Sequence, residues 1–509
     1  MIFNLSDKNR KWWTLLAMAS ALALVFIDQT ALAVALPAIQ HDLNLSNSMV
    51  QWVINAYLLS LSTTILLGGK IGDSVGHKQT FLGGIILFIS ASILCALAQS
   101  GLWLIVARIF QGIGGAFMIP STNVLVVNAF PENERGKAVG IYIALAASFL
   151  AFGPLLGGML TEWIGWRSVF WINFPVALTS ILLAYSVVVR DEKRTEKLKI
   201  DVFGLILSIA FISSFVLGFM EGANLGWTST SILSLFLLSI LSFSAFIFWE
   251  KRAVNPLVEL TLFKNPTFSI VTTVMLFIQA VSPVFVFWAI FIQNVLAYSP
   301  LKAGMYLLPS VLPILFMAPL GGYLRDKYGP TLPMVSGCSL VISSLLWIGF
   351  FCHYQNYLWL FPGFLFYGLG LPLMLSGTMA TIMSTVSAQL RGIAGAIINC
   401  ARQVGNSIGL AIFAGFLASI NKWQLNLFLS SSQPPVSQIK EADIDGLFAK
   451  SSQAMQAISH LSSHSVVLLR EAALKSYTYA FSITMYFAAL FGLICLLLLF
   501  KLPRNKGKT

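Results

Sequence analysis

Fourteen apolar runs follow one another along the chain, separated by short polar or charged connectors, at about 13–37, 50–69, 79–98, 102–126, 137–160, 168–189, 203–220, 230–249, 267–292, 304–323, 332–352, 357–382, 393–419 and 478–501. A helix needs roughly 20 apolar residues to cross the hydrocarbon core, and only a helix or a closed barrel satisfies its own backbone there. The alternating pattern of a barrel strand is not seen, so the spacing predicts an all-α membrane protein of fourteen spans. The first run follows Lys8, Arg10 and Lys11 as a signal peptide would, but it is too long for one and thirteen more follow, so it is expected to remain as a helix. One connector, 420–477, is long; it starts with the turn-prone Ser430-Ser-Ser-Gln-Pro-Pro, and its stretch from 438 to 475 has the apolar spacing of an amphipathic helical pair lying on the membrane surface.

The pattern repeats. Gly69-Lys-Ile-Gly-Asp73-Ser-Val-Gly76 and Gly322-Tyr-Leu-Arg-Asp326-Lys-Tyr-Gly329 each place a Gly four residues before an Asp and a second Gly three after it. Further on, an offset of 256 relates Gly112 to Gly368, Gly114 to Gly370 and Arg135-Gly136 to Arg391-Gly392. One six-span unit has been doubled, which predicts a first bundle over 12–189, two unmatched helices inserted over 203–249, and a second bundle over 266–501 that includes the outer loop 420–477. Two such bundles with a site between them are the architecture of a secondary transporter.

Composition agrees: 57% hydrophobic residues, 10% charged and a mean hydropathy of +0.82 exclude a soluble protein. Of the 31 Lys and Arg, 22 fall on the connectors of one face, seven on the other, and two, Arg108 and Arg402, inside spans. Basic connectors stay in the cytoplasm, so both termini are predicted inside. The net charge of +12 then follows from topology and contact with anionic lipid, without nucleic acid. The five cysteines have no metal-like spacing.

Asp28 stands mid-span. A carboxylate there costs several kcal/mol to keep charged unless a cation or water compensates, so it is the candidate carrier of a proton. Arg108, one or two turns inside the fourth span, cannot give up its charge and must meet carbonyls, water or an acid such as Asp28, with Gln111 one turn away. The position 256 residues after Arg108 is Phe364, and the region answering Asp28, near Val281, has no acid, so the ionisable groups were kept in one half only. The 69–78 segment predicts a tight inner turn; Gly69, Asp73, Gly76 and Arg135, with Asp326 and Gly329 in the second half, are candidate gating residues, Asp73 meeting the N-terminal dipole of the next helix. Gly153, Pro154, Gly157 and Gly158 allow close packing or a pivot. Arg402 and Gln403 are candidates for the substrate cavity. His460 and His464 lack a third ligand, so no metal is expected. A Walker loop, paired acids, and a nucleophile with a base are all missing, which argues against ATP use and against an enzyme.

Taken together, Asp28-Gln-Thr with Ala35-Leu-Pro37, the 69–78 loop, Arg108 with Gln111 and Gly112, Gly153–Gly158, Trp166-Arg167 with Asn173 and Pro175, and Glu221-Gly222 with Gly226-Trp227 resemble the major facilitator superfamily. Within it, they resemble the fourteen-span drug:proton antiporters of the EmrB/QacA type. The resemblance implies two six-helix bundles with two added helices, alternating access, a bacterial cytoplasmic membrane and the proton gradient as energy source with no cofactor. It also implies a small-molecule substrate, and in some relatives a periplasmic adaptor and an outer-membrane channel. Ser74 and His77 depart from the basic residue and Arg usual in that loop, which weakens the expected latch. One buried acid against two buried arginines makes the core a poor host for divalent cations, so amphipathic neutral or anionic compounds are expected. The rival expectation is an exporter or importer of one physiological solute, such as a siderophore or metabolite.

Overall fold

The computed structural model describes residues 7–131, 134–188, 201–254, 256–386, 391–431 and 463–502. They form helices α1 (Asp7–Asp42), α2 (Asn47–Val75), α3 (His77–Ala96), α4 (Gly101–Ala129), α5 (Arg135–Trp163), α6 (Ser168–Trp171), α7 (Asn173–Val187), α8 (Val202–Leu225), α9 (Thr230–Glu250), α10 (Pro266–Val281), α11 (Val284–Asn294), α12 (Pro300–Val311), α13 (Ile314–Tyr328), α14 (Thr331–Phe351), α15 (Tyr357–Thr385), α16 (Arg391–Ser431) and α17 (Ser463–Phe500). Among the described residues, thirteen helical stretches are long and apolar enough to cross a membrane. Helix α5, at 29 residues and about 1.5 Å per residue, adds the fourteenth.

Polar side chains start the helices where the apolar runs begin. Ser46, Ser100, Ser229 and Ser299 accept from the backbone N–H three residues on; Asn265 accepts from the N–H groups two and three residues on to start α10, and Asn356 from the one two residues on to start α15. Several helix ends fall elsewhere than expected. Helix α2 runs on to Val75, so the predicted 69–78 turn shrinks to Gly76 alone, whose φ of +108° a side chain rarely tolerates; Gly329 at +84° ends α13 in the same way. Much of the predicted 420–477 loop is helical as well, since α16 reaches Ser431 and α17 starts at Ser463. The remainder of the expected surface pair, together with His460 and the His464 side chain, lies outside the described residues.

Helices α1–α7 pack among themselves, as do α10–α17, and α8–α9 form a hairpin against α2 and α16. The doubling is visible in the backbone. A Cβ on Gly114 would meet Gly84 O and Phe88 N of α3, and one on Gly370 would meet Gly337 O and Val341 N of α14. The copies differ at mid-span: α1 and α2 are continuous, but their counterparts break at Ser282-Pro283 (α10 to α11) and at Leu312-Pro313 (α12 to α13), because proline has no N–H to continue the ladder. The two sets meet at the ends predicted to lie outside. Glu162 accepts from Leu301 N at 2.9 Å, Gln293 donates to Val34 O at 2.9 Å, and Ser407 donates to Asn55 Oδ1 at 2.8 Å nearer the centre.

Candidate functional site

Asp28 on α1 and Arg108 and Gln111 on α4 come together in the first set, all at most 1% exposed. Arg108 Nη1 donates to Asp28 Oδ2 at 2.6 Å and to Gln111 Oε1 at 2.7 Å, while Gln111 Nε2 donates to Asp28 Oδ1 at 3.1 Å. Arg108 Nε donates to Val53 O of α2 at 3.0 Å, and the guanidinium carbon lies 4.2 Å from the centre of the Tyr57 ring. The cation is therefore held by a carboxylate, an amide, a carbonyl and an aromatic face. A planar fork fits this set and an ammonium would not. Gly112 makes it possible: a Cβ there would lie 2.4 Å from Tyr57 O, so only glycine lets α4 approach α2 this closely.

Beside the triad is a central cavity of about 140 Å³, reached by Gln29, Thr30, Tyr57 and Arg108 from the first set and by Ser282, Pro283, Phe285, Ser310, Tyr367 and Asn406 from the second. Both proline breaks open onto it. The positions answering the ion pair carry an apolar cluster: Phe364 is 1% exposed, with its ring 5.1 Å from that of Trp288, which in turn lies 4.9 Å from Tyr367. Among the described lining residues Phe285 is the one phenylalanine; tyrosines, prolines and aliphatic side chains surround the polar groups just named. The larger hollow, about 450 Å³, lies away from this chemistry at the outer end of α8 and α16.

The other candidates are dispersed. Arg402 is one turn from Asn406 on the same face of α16, with the Tyr142 phenol of α5 as its electrostatic neighbour; Gln403 is buried, and its Oε1 has no partner. Neither lines the cavity directly. Asp73 sits in the last turn of α2, 65% exposed, and its Oδ1 lies 3.3 Å from Nε2 of His77, the first residue of α3. No side chain caps α3. Lys70 donates to Pro256 O at 2.8 Å, tying this turn to the connector after α9. Gly69 has room beside Pro120. The side chains of Arg135 and Asp326 lie outside the described residues.

Gly153 and Gly157 take in α1, where added Cβ atoms would meet Thr30 Oγ1 at 1.8 Å and Ala31 Cα at 2.5 Å. Gly158 faces Pro300 O of α12, and Gly304 of α12 faces Pro154 O, so this pair sets the closest approach between the two sets on their outer side. Different outcomes follow for two substitutions. Gly157→Val should lower the thermal midpoint because the clash is inside one bundle, whereas Gly304→Val should leave the fold stable but keep the outer ends apart, seen as a longer distance between spin labels on cysteines at the exposed Ile164 and Leu358.

Sequence reasoning missed Tyr57 and Val53 O, which hold Arg108, and the breaks at Pro283 and Pro313, although those prolines stood in plain view inside apolar runs. It also missed Asp42, which accepts from Trp166 Nε1 at 2.9 Å and Arg167 Nη1 at 2.7 Å and binds the outer end of α1 to α6.

The family model of the Major Facilitator Superfamily matches residues 18–410. The chain is 35% identical over 419 residues to a tetracenomycin C resistance and export protein of Streptomyces glaucescens, covering 81% of this chain and 77% of that one. It is 32% identical over 409 residues to the multidrug resistance protein Stp of Mycobacterium tuberculosis, covering 80% and 76%. Its fold is similar to the crystal structure of a bacterial homologue of the human lysosomal transporter Spinster in an inward-facing, unoccupied conformation, with a TM-score of 0.63, 18% identity, and coverage of 97% and 98%.

Proposed function

The chain belongs to the major facilitator superfamily of multi-pass membrane transporters, and from that premise we propose that it is a proton-coupled exporter of amphipathic small molecules working by alternating access. The observation that carries this reading is the buried Asp28–Arg108–Gln111 triad, set in one half beside a cavity that both halves line. A proton arriving on Asp28 turns the ion pair into a neutral acid beside an uncompensated cation, so proton loading changes the charge of the cavity wall. Substrate taken up from the cytoplasm or inner leaflet displaces the Asp28 proton to the cytoplasm, and after outward opening the substrate leaves and a new proton from outside loads Asp28. The halves 12–189 and 266–501 rock about the cavity, Arg108 and Gln111 tune the proton site, and the 69–76 and 322–329 turns, with Arg135, stabilise closure on the inner side. The similarity to antibiotic exporters supports the direction.

Among the described residues the cavity lining contains no acid, and Arg108 is balanced by Asp28. With Arg402 one turn below Asn406, the preferred cargo is amphipathic and neutral or anionic. The location is a bacterial cytoplasmic membrane with both termini inside. By resemblance to relatives of the EmrB/QacA type, the exported compound would pass to a periplasmic adaptor and an outer-membrane channel. In inside-out vesicles with an imposed pH gradient, neutral and anionic labelled compounds should accumulate and be released when the gradient is collapsed, while divalent cations should not move. Uptake that ignores every ion gradient would refute the coupling, and transport in the opposite sense would refute export.

A further inference from the structure

The pairs Glu221-Gly222 and Gly226-Trp227 play no part in the mechanism above, yet they stand at the outer end of the α8–α9 hairpin, over the seam where α2 meets α16. Gly226 has a φ of +88°, and the reversal it permits lays the Trp227 ring on Gly222, where a Cβ would be 2.6 Å from the ring. Trp227 Nε1 then donates to Ser419 Oγ of α16 at 2.9 Å. One turn away, Gly415 lets α16 approach Phe219 O, which a Cβ would meet at 2.2 Å. Deeper in the membrane, Ile212 and Val216 of α8 share one apolar cluster with Val404 and Ala411 of α16. The hairpin is thus joined to the second set by fitted apolar surface.

Toward the first set, Trp52 and Leu59 of α2 also pack on this cluster, and hydrogen bonds are added to them. Ser48 Oγ and Trp52 Nε1 of α2 both donate to Glu221 Oε1, at 3.1 and 2.9 Å, and Asn224 Nδ2 of the hairpin itself holds Oε2 at 3.1 Å. Asn55 Nδ2 reaches the Met220 sulfur at 2.9 Å. A packed helix face moves as one body, whereas a hydrogen bond is lost within about an ångström of displacement.

We propose that Glu221 and Trp227 are positioning residues for alternating access. Trp227 fixes the hairpin to the second half, and Glu221 reaches across the seam to α2, so that closure of the outer side is completed by this clasp. The proposal rests on the alternating-access reading above. A state in which the outer ends part must give up both bonds to Glu221, and only such differential contacts shift an equilibrium between states.

The test is a distance measurement between spin labels on the full chain in lipid nanodiscs, at Ile164→Cys and Leu358→Cys, which are 74% and 76% exposed at the outer ends of the two halves and away from the clasp. Glu221→Leu should raise the ratio of outer-open to outer-closed molecules by roughly tenfold. Ser48→Ala combined with Trp52→Phe should do the same from the opposite side of the bonds, and Trp227→Phe should shift the ratio in the same direction by less. Glu221→Gln, which keeps an acceptor oxygen, should stay near the parent. If Glu221→Leu does not fold, the two α2 substitutions decide. Unchanged distances in the α2 variants, with a parent that does show two distances, would overturn the clasp alone. A parent confined to one distance under every gradient and substrate would instead overturn alternating access itself.

Discussion

Asp28→Asn is expected to abolish uphill export while leaving a folded protein that still binds and exchanges its substrate. A proton moving down about 100 mV releases about 2.3 kcal/mol, enough for one-to-one antiport to hold roughly a fifty-fold concentration ratio. With no acid left at mid-span in α1, that ratio should fall to about one in reconstituted vesicles. The amide still offers one acceptor to Arg108 at the position of Asp28 Oδ2, and Val53 O and Gln111 Oε1 continue to hold the guanidinium, so the loss of stability should stay at about 3 kcal/mol, the low end for a broken buried pair. Counterflow of labelled substrate without a gradient should survive. A variant that keeps the fifty-fold ratio would place proton carriage elsewhere.

The second large effect is on stability. Arg108→Leu leaves the Asp28 carboxylate buried with only Gln111 Nε2 for company, and breaking a buried pair in this way costs about 3–5 kcal/mol. Arg108→Lys should recover little, since an ammonium cannot bond Val53 O, Asp28 and Gln111 together while stacking on Tyr57. The double variant Asp28→Asn with Arg108→Leu should be clearly more stable than Arg108→Leu alone, because neither charge is then stranded, yet it should show no uphill export. Thermal unfolding in nanodiscs across this cycle gives the coupling between the two residues. If Arg108→Leu unfolds at the parental temperature, the pair is not the structural unit described above.

Much of the fold was legible because a bilayer leaves a chain few choices. Runs near twenty apolar residues had to be helices, and their order along the chain followed from where those runs fall. Residue types at the centre were legible for the same reason, since Asp28 and Arg108 stand out where ions are costly. Their surroundings were not. Nothing in an apolar run says which face turns inward, so Tyr57 under the guanidinium and the near-absence of phenylalanine from the cavity appeared only once the helices were packed. The reach of α2 to Val75 escaped because Gly72 and Asp73 read as a turn, although glycine costs a helix only about 1 kcal/mol and the approach of His77 to Gly72 repays it.

The two proline interruptions, confined to the second half, divide the work. The unbroken α1 and α2 keep the ion pair in one fixed geometry, while the segments around Pro283 and Pro313 contribute carbonyls, serines and a wall whose shape depends on a few local torsions. Changes of cargo during evolution can therefore accumulate on one side of the molecule, at positions such as Ser282, Ser310 and Tyr367, without disturbing the engine on the other. If the proposed proton-coupled export holds, a new cargo would be gained by retuning the compliant wall, with the power supply inherited intact.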